Sequence, residues 1–479
     1  MNPQGVMIGA AYLLIAQLAF VFSGYIIHIG LGRLLGPSEY GVYSVIIYII
    51  TIFNLILTTG IPQAVSKFVS EDEVRSRTIL KTSSNFSMFL GLAMFMLTYT
   101  GAELIASYLN DPDLAPYIRA ASVMIPGYSL FTIIIGYYNG LRYYKIQSYL
   151  LLSYNFIKPT MIFLFVFMGF SVWGAILGFA LSPLIPLIIG IYMIGIRSFA
   201  ASNGFPLKTI IMFAIPILIF SIAINLITSI DLLLVKRILM NNEQVGYYSA
   251  ASTISKLPYF LMVSINMAIF PAVSASIRDF AKTRDYINES IRYSLIFILP
   301  IAAMIAATSE SLVTLLYSDT YQPAYEALEI LIVGISLLSL FSILATIISA
   351  AGKPHISMYL GIIIIIIDYL INVFIIPIWG MVGAAVATSL ASAIGVAMAA
   401  FYVYSRYGTL VSPFSAVRIM FASALIYLIL SLTDLSGLYL LSGYLVMGLC
   451  YIGLLFVMSE IEERDIRRIK EIIPVSLIR

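Results

Sequence analysis

Run after run of uncharged residues, each about the length needed to cross a bilayer, constrains this chain more than any other feature. A crossing helix needs ~20 mostly apolar residues. Between charged or Pro/Gly-rich breaks, fourteen such runs lie at about 7–32, 41–66, 84–108, 118–139, 147–169, 173–196, 208–235, 246–274, 290–310, 326–350, 356–377, 380–405, 414–433 and 437–459. Continuous runs of this kind exclude a membrane β-barrel, whose strands alternate over ~10-residue segments. Only 10% of the 479 residues are charged and 61% are hydrophobic, whereas a soluble domain carries ~25% charge. That excludes a soluble enzyme, a nucleic-acid-binding domain and a disordered chain. No gap between runs has room for a soluble domain, the longest being the charged connections around 67–83 and 275–289. The pattern predicts an all-α polytopic membrane protein with about fourteen transmembrane helices.

Basic residues predict how the chain lies in the membrane, because Lys and Arg favour the cytoplasmic side. Twenty fall at the N-terminus, in the even-to-odd connections and at the C-terminus; four, Arg33, Arg119, Lys236 and Arg237, fall on the other side. The asymmetry places both termini in the cytoplasm and favours an even number of spans. Met1–Val6 carries no Lys or Arg, so the first run reads as a retained span and not as a cleaved signal. The acidic stretches Glu103–Asp113 and Glu310–Glu329 fall outside. Cys450, the single cysteine, excludes an internal disulfide and in its apolar run reads as a buried inert thiol.

The chain repeats itself weakly at an offset near 206. Both tryptophans open Trp-Gly pairs, Trp173-Gly174 and Trp379-Gly380. A Gly-x-Tyr-Ser motif at Gly41, Tyr43 and Ser44 recurs at Gly246, Tyr248 and Ser249. Ser129-Leu130-Phe131 matches Ser339-Leu340-Phe341, and Arg33-Leu34-Leu35 matches Arg237-Ile238-Leu239. The offset equals six spans, an even number, so the halves point the same way, as a parallel repeat about the membrane normal. The predicted organisation is an N-lobe over 1–197, a cytoplasmic linker over 198–207 containing Gly204 and Pro206, a C-lobe over 208–407, two extra spans over 408–459, and a cytoplasmic amphipathic tail over 460–479.

This 6+6+2 pattern is similar to the multidrug/oligosaccharidyl-lipid/polysaccharide exporter superfamily. The text from Leu31 through Gly36, Pro37 and Glu39 to Tyr43 resembles its polysaccharide-synthesis (Wzx-like) branch. So does Asp231-Leu232-Leu233-Leu234 followed by Val245 to Ala251. The resemblance covers about residues 5–460. It implies a flippase that moves a lipid-diphosphate-linked glycan from the inner to the outer leaflet of the cytoplasmic membrane without hydrolysing ATP. It also implies a protein that is not an enzyme, touches lipids but no nucleic acid, acts as a monomer and works beside glycosyltransferases. The rival readings are a cation-coupled drug exporter of the same superfamily and a membrane glycosyltransferase or ligase acting on lipid-linked sugars. Span one lacks the acidic residue that the drug-exporter branch often uses, and no Walker A loop appears.

Ionisable groups inside hydrocarbon are functional candidates by default. Lys158, before Pro159, and Lys256, two residues before Pro258, stand where proline opens a helix to a cavity. Each would favour a phosphate as a point charge; the alternative is that each pairs with a carboxylate, Lys256 with Asp231 and Lys158 with Asp368. Asp231, Asp368, Asn372 and Thr388 form an all-oxygen set suited to a hard cation, and in the lipid II flippases the resemblance implies a sodium site between the same three spans. No other cofactor is expected, and sodium or protons are the coupling ions to consider. His28 is either a proton switch or an interfacial hydrogen-bonder. Arg33 and Arg237 occupy repeat-equivalent span ends, where they would either bind an anion or complement a helix dipole.

Overall fold

The computed structural model describes residues 3–200, 204–277 and 279–461. Among them the regular structure is helical throughout, with no strand, which suits segments that cross hydrocarbon: a helix satisfies its backbone N–H and C=O groups within its own segment. Eight helical stretches are long and apolar enough to cross a membrane, or nine if Ser76–Thr100 and Ala102–Tyr108, bent by 55°, form one. The amphipathic tail expected over 460–479 lies outside the described residues except for Glu460 and Ile461.

Several stretches are far longer than one crossing. The first helix, α1 (Pro3–Thr58), has 56 residues, ~80 Å at ~1.5 Å per residue against a hydrocarbon core of ~30 Å. Its path breaks at Gly36, whose φ of 74° leaves the helical region just before Pro37. The 54-residue α17 (Pro354–Tyr407) breaks likewise at Gly380, φ 58°, so that Trp379 is the last residue of its first arm. Trp173 stands at the head of α8 (Ser171–Leu181), just past the breaks at Gly169 and Ser171.

The chain divides into two compact units. The first comprises Met1–Ala250 with Asn372–Met381. Its helices after α1 are α2 (Ile61–Glu71), α3 (Ser76–Thr100), α4 (Ala102–Tyr108), α5 (Leu114–Ser122), α6 (Met124–Gly140), α7 (Tyr144–Phe165), α8, α9 (Leu184–Ile194), α10 (Leu207–Ile227) and α11 (Ile230–Leu239), with most of α12 (Asn242–Ser255). Here α7 packs along α1 and α8, while α6 lies against α2 and α3. A core of Ile61, Val65, Ile79, Leu80, Ile133 and Tyr137 also takes in Ile210 and Ala214 of α10. Packing thus groups residues 208–250 with the first two hundred, whereas the repeat divides the sequence at 198–207; these are different divisions of one chain.

The second unit comprises Ala251–Ile371 and Val382–Arg479. Its helices are α13 (Leu257–Ser276), α14 (Phe280–Ala307), α15 (Ser309–Leu316), α16 (Ala324–Ala350), most of α17, α18 (Pro413–Ser431) and α19 (Leu438–Val457). The α14 helix packs on α16 and α18, and α13 on α16. Cys450 is exposed on α19, not buried as the sequence suggested, because an apolar run facing lipid needs no cover. Near the end of the described chain, Glu460 is buried and accepts a hydrogen bond from Arg292 Nε at 2.7 Å.

Candidate functional site

Lys158 sits mid-way along α7, one residue before Pro159, with its side chain 92% shielded (8% exposed). Its Nζ lies 5.3 Å from the centre of the Tyr154 ring and 5.5 Å from that of Phe20. Tyr154 in turn packs on Tyr128 and Phe131 at 5.3 and 5.6 Å. No carboxylate is within ion-pair reach of this ammonium among the described residues. Aromatic faces offset part of the desolvation of a cation, but an ammonium without a counter-ion in a dry site remains costly. Proline at 159 adds an opened carbonyl one turn earlier, since it has no N–H to give residue 155. Asn155, on that turn, donates through Nδ2 to the Ala16 carbonyl at 3.2 Å and fixes α7 against α1.

Asp231 lies in the first turn of α11, where a helix N-terminus favours negative charge. It is buried, and accepts from the Tyr248 hydroxyl at 3.1 Å and from Asn372 Nδ2 at 3.2 Å. Of the four residues grouped by sequence, the structure brings Asp231 and Asn372 together. Asp368, one turn before Asn372 on α17, and Thr388 are both buried and belong to the second unit; the Thr388 hydroxyl donates to the Ala384 carbonyl of its own helix at 3.0 Å. Lys256 is half-buried at the junction of α12 and α13, also in the second unit. Sequence reasoning missed Tyr248 as an Asp231 partner, although the repeated Gly-x-Tyr-Ser motif had marked it.

The two copies of that motif meet. The Ser44 and Ser249 hydroxyls are 2.8 Å apart, and Ser249 is 3.3 Å from the Tyr40 hydroxyl. Tyr40 shares a 2.9 Å hydrogen bond with His28 Nδ1, and the His28 ring stands edge-on to both Tyr40 and Tyr43. A methyl group on Gly41 would collide with the Asn242 carbonyl, and one on Gly246 with the Pro37 carbonyl. Residues 37 and 41 are each 205 positions before 242 and 246. The contact between 41 and 242 is therefore the repeat image of that between 246 and 37, the reciprocity expected about a two-fold axis. Small residues let the backbones approach this closely.

The repeat-equivalent arginines differ. Arg33 is exposed, three residues before the Gly36 break. Arg237 is half-buried in the last turn of α11, its guanidinium 3.9 Å from the centre of the Tyr108 ring.

A family model described as polysaccharide biosynthesis protein matches residues 31–326, from the Leu31–Tyr43 text through the second copy of the repeated motif. The chain belongs to the polysaccharide biosynthesis protein family. Its place in the polysaccharide-synthesis branch of the exporter superfamily, implied by Leu31–Tyr43 and Val245–Ala251, is thereby borne out. It is a membrane protein, as its apolar helices and the membrane proteins it resembles indicate. It is 22% identical over 407 residues to the uncharacterized membrane protein MJ1375 of Methanocaldococcus jannaschii, covering 80% of this chain and 94% of that one. It is 26% identical over 170 residues to the probable low-salt glycan biosynthesis flippase Agl15 of Haloferax volcanii, covering 35% of this chain and 36% of that protein. Its fold matches a lipid II flippase, MurJ, in an inward closed conformation, with a TM-score of 0.78 at 17% identity over 96% of this chain and 99% of that one.

Proposed function

We propose that this family member is a flippase, carrying a lipid-diphosphate-linked oligosaccharide or polysaccharide precursor from the inner to the outer leaflet by alternating access. The observation that carries this reading is Lys158. A buried ammonium with two aromatic neighbours and no ion pair among the described residues suits an anionic cargo. A diphosphate leaving water regains there an interaction it would otherwise lose. Lys256, Arg33, Arg237 and His28 are the further candidates for contact with its phosphates and sugars.

The path is read as fourteen crossings in the cytoplasmic membrane with both termini inside. Stretches of 56 and 54 residues with one break each support counting two spans apiece. The repeat-related contacts at Gly41 and Gly246 support two six-span lobes, over 1–197 and 208–407 about the 198–207 linker, with 408–459 added outside them. Asp231, Asp368, Asn372 and Thr388 are assigned to coupling with sodium or protons; the carboxylate held by Tyr248 and Asn372 supports this. The chain acts as a monomer, catalyses no bond change and works beside glycosyltransferases.

The test is reconstitution in proteoliposomes with a fluorescent lipid-diphosphate sugar, followed by leaflet assay and product analysis. Movement of intact lipid between leaflets is expected. A new glycosidic bond would establish the enzyme reading instead, and transport of cationic drugs alone would establish the drug-exporter reading.

A further inference from the structure

A second buried lysine has a different role. Lys236, in the last turn of α11, is almost fully buried, and its ammonium is bonded to the Asp111 carboxylate and the Asn242 side-chain oxygen. Asp111 lies 125 positions earlier, in the turn that closes α4. There Asn110 adopts a left-handed φ of 57°. The backbone N–H of Asn110 donates to the Ser107 carbonyl and that of Asp111 to the Ala106 carbonyl, both at 3.0 Å. This is a helix stop with Asn in the place usually taken by Gly. It aims three features at one helix end: the Tyr108 ring lies under Arg237, Asn110 Nδ2 donates to the Arg237 carbonyl at 2.9 Å, and Asp111 holds Lys236.

Dipole complementarity accounts for a Lys and an Arg in the last turn of a helix, but it does not account for their burial against a turn from the other repeat. An ion pair removed from water is strongly conditional: with both partners present it is satisfied, and with one removed it leaves a stranded charge. Such a contact makes a two-position element, fully made or fully broken.

We propose that the turn Tyr108–Asp113 is a clasp on the α11–α12 corner, and that Asp111 and Lys236 are positioning residues of transport which release when the outer side opens. This rests on the flippase reading and on its orientation. The clasp joins the connection between the third and fourth expected spans to the end of the seventh. It lies beside the Gly41–Asn242 contact, because Lys236 and Gly41 both engage Asn242. Opening the outer side must therefore part the clasp and the seam together.

The experiment uses full-length protein with Cys450→Ala and a Ser249→Cys reporter at the seam, in vesicles exposed to a membrane-impermeant maleimide on one face at a time. With the clasp intact, labelling is expected to be slow and from the outer face. Asp111→Asn is expected to raise its rate about fivefold or more, the scale of a conformational coupling. The exchange Asp111→Lys with Lys236→Asp is expected to bring it back toward the parent. Tyr108→Leu, which touches only the Arg237 contact, gives a milder rise and covers the case in which Asp111→Asn does not fold. An unchanged rate in both variants, with a lowered unfolding midpoint, overturns the clasp and leaves a fixed structural clamp. Labelling from the inner face alone overturns the orientation on which the flippase reading stands. The ratio of variant to parent on that face then still decides whether the pair controls opening.

Discussion

Lys158 and Lys236 are both buried, both within the first unit, and chemically identical, yet their surroundings are opposite. Lys236 is answered by a carboxylate and an amide oxygen; Lys158 has ring faces and no ion pair among the described residues. The first charge is answered within the protein, between the turn after α4 and the end of α11. The second is a cost to the fold and stands one residue before Pro159. A buried lysine therefore says little by its presence alone; what decides its role is whether the protein itself neutralises it.

The contrast breaks if the two lysines respond alike to removal. Lys236→Met strands the Asp111 carboxylate and is expected to destabilise the protein by about 3 kcal/mol, read by titrating the detergent-solubilised protein with a denaturing detergent. Adding Asp111→Leu to it should recover most of that loss, because the two sites share one interaction. Lys158→Met removes a charge that, among the described residues, no ion pair offsets, and should leave stability unchanged or raise it by about 1 kcal/mol. A loss of several kcal/mol there would mean that Lys158 has a structural partner after all. Phe20→Leu sharpens the picture at the smallest scale: it withdraws one ring face from Lys158 and should cost about 0.5 kcal/mol, while the same change at Phe89, exposed on α3, should cost less.

The all-helical, membrane-crossing character was legible in the sequence because a bilayer demands long apolar runs whatever the tertiary contacts. The breaks at Gly36 and Gly380 were legible as punctuation, though not as kinks within otherwise continuous helical paths. Lys158 stood out since charge is rare in such runs. The Asp111–Lys236 pair did not. Both residues were placed on the outer side, but nothing local says which acid of Glu103–Asp113 reaches which base 125 residues away. The repeat showed that Gly41 and Gly246 are equivalent without showing that equivalents touch; that follows only once two backbones are seen to pass where a Cβ cannot fit. Asn372 beside Asp231 was read from composition and helix spacing, whereas the Tyr248 hydroxyl was not, because tyrosine is so common in this chain that one more carries no signal.

The account stands most directly on flipping by Lys158 variants. Wild type, Lys158→Met and Lys158→Arg would be reconstituted at equal density, and the outward rate of a fluorescent lipid-diphosphate sugar measured in each. Lys158→Met is expected to lose about 100-fold or more, the scale of a charge-assisted contact removed from a dry site, with unfolding no earlier than wild type. Lys158→Arg, which keeps the charge, should retain part of the rate. Wild-type flipping by a stable Lys158→Met protein would contradict the claim that this unneutralised ammonium receives the cargo.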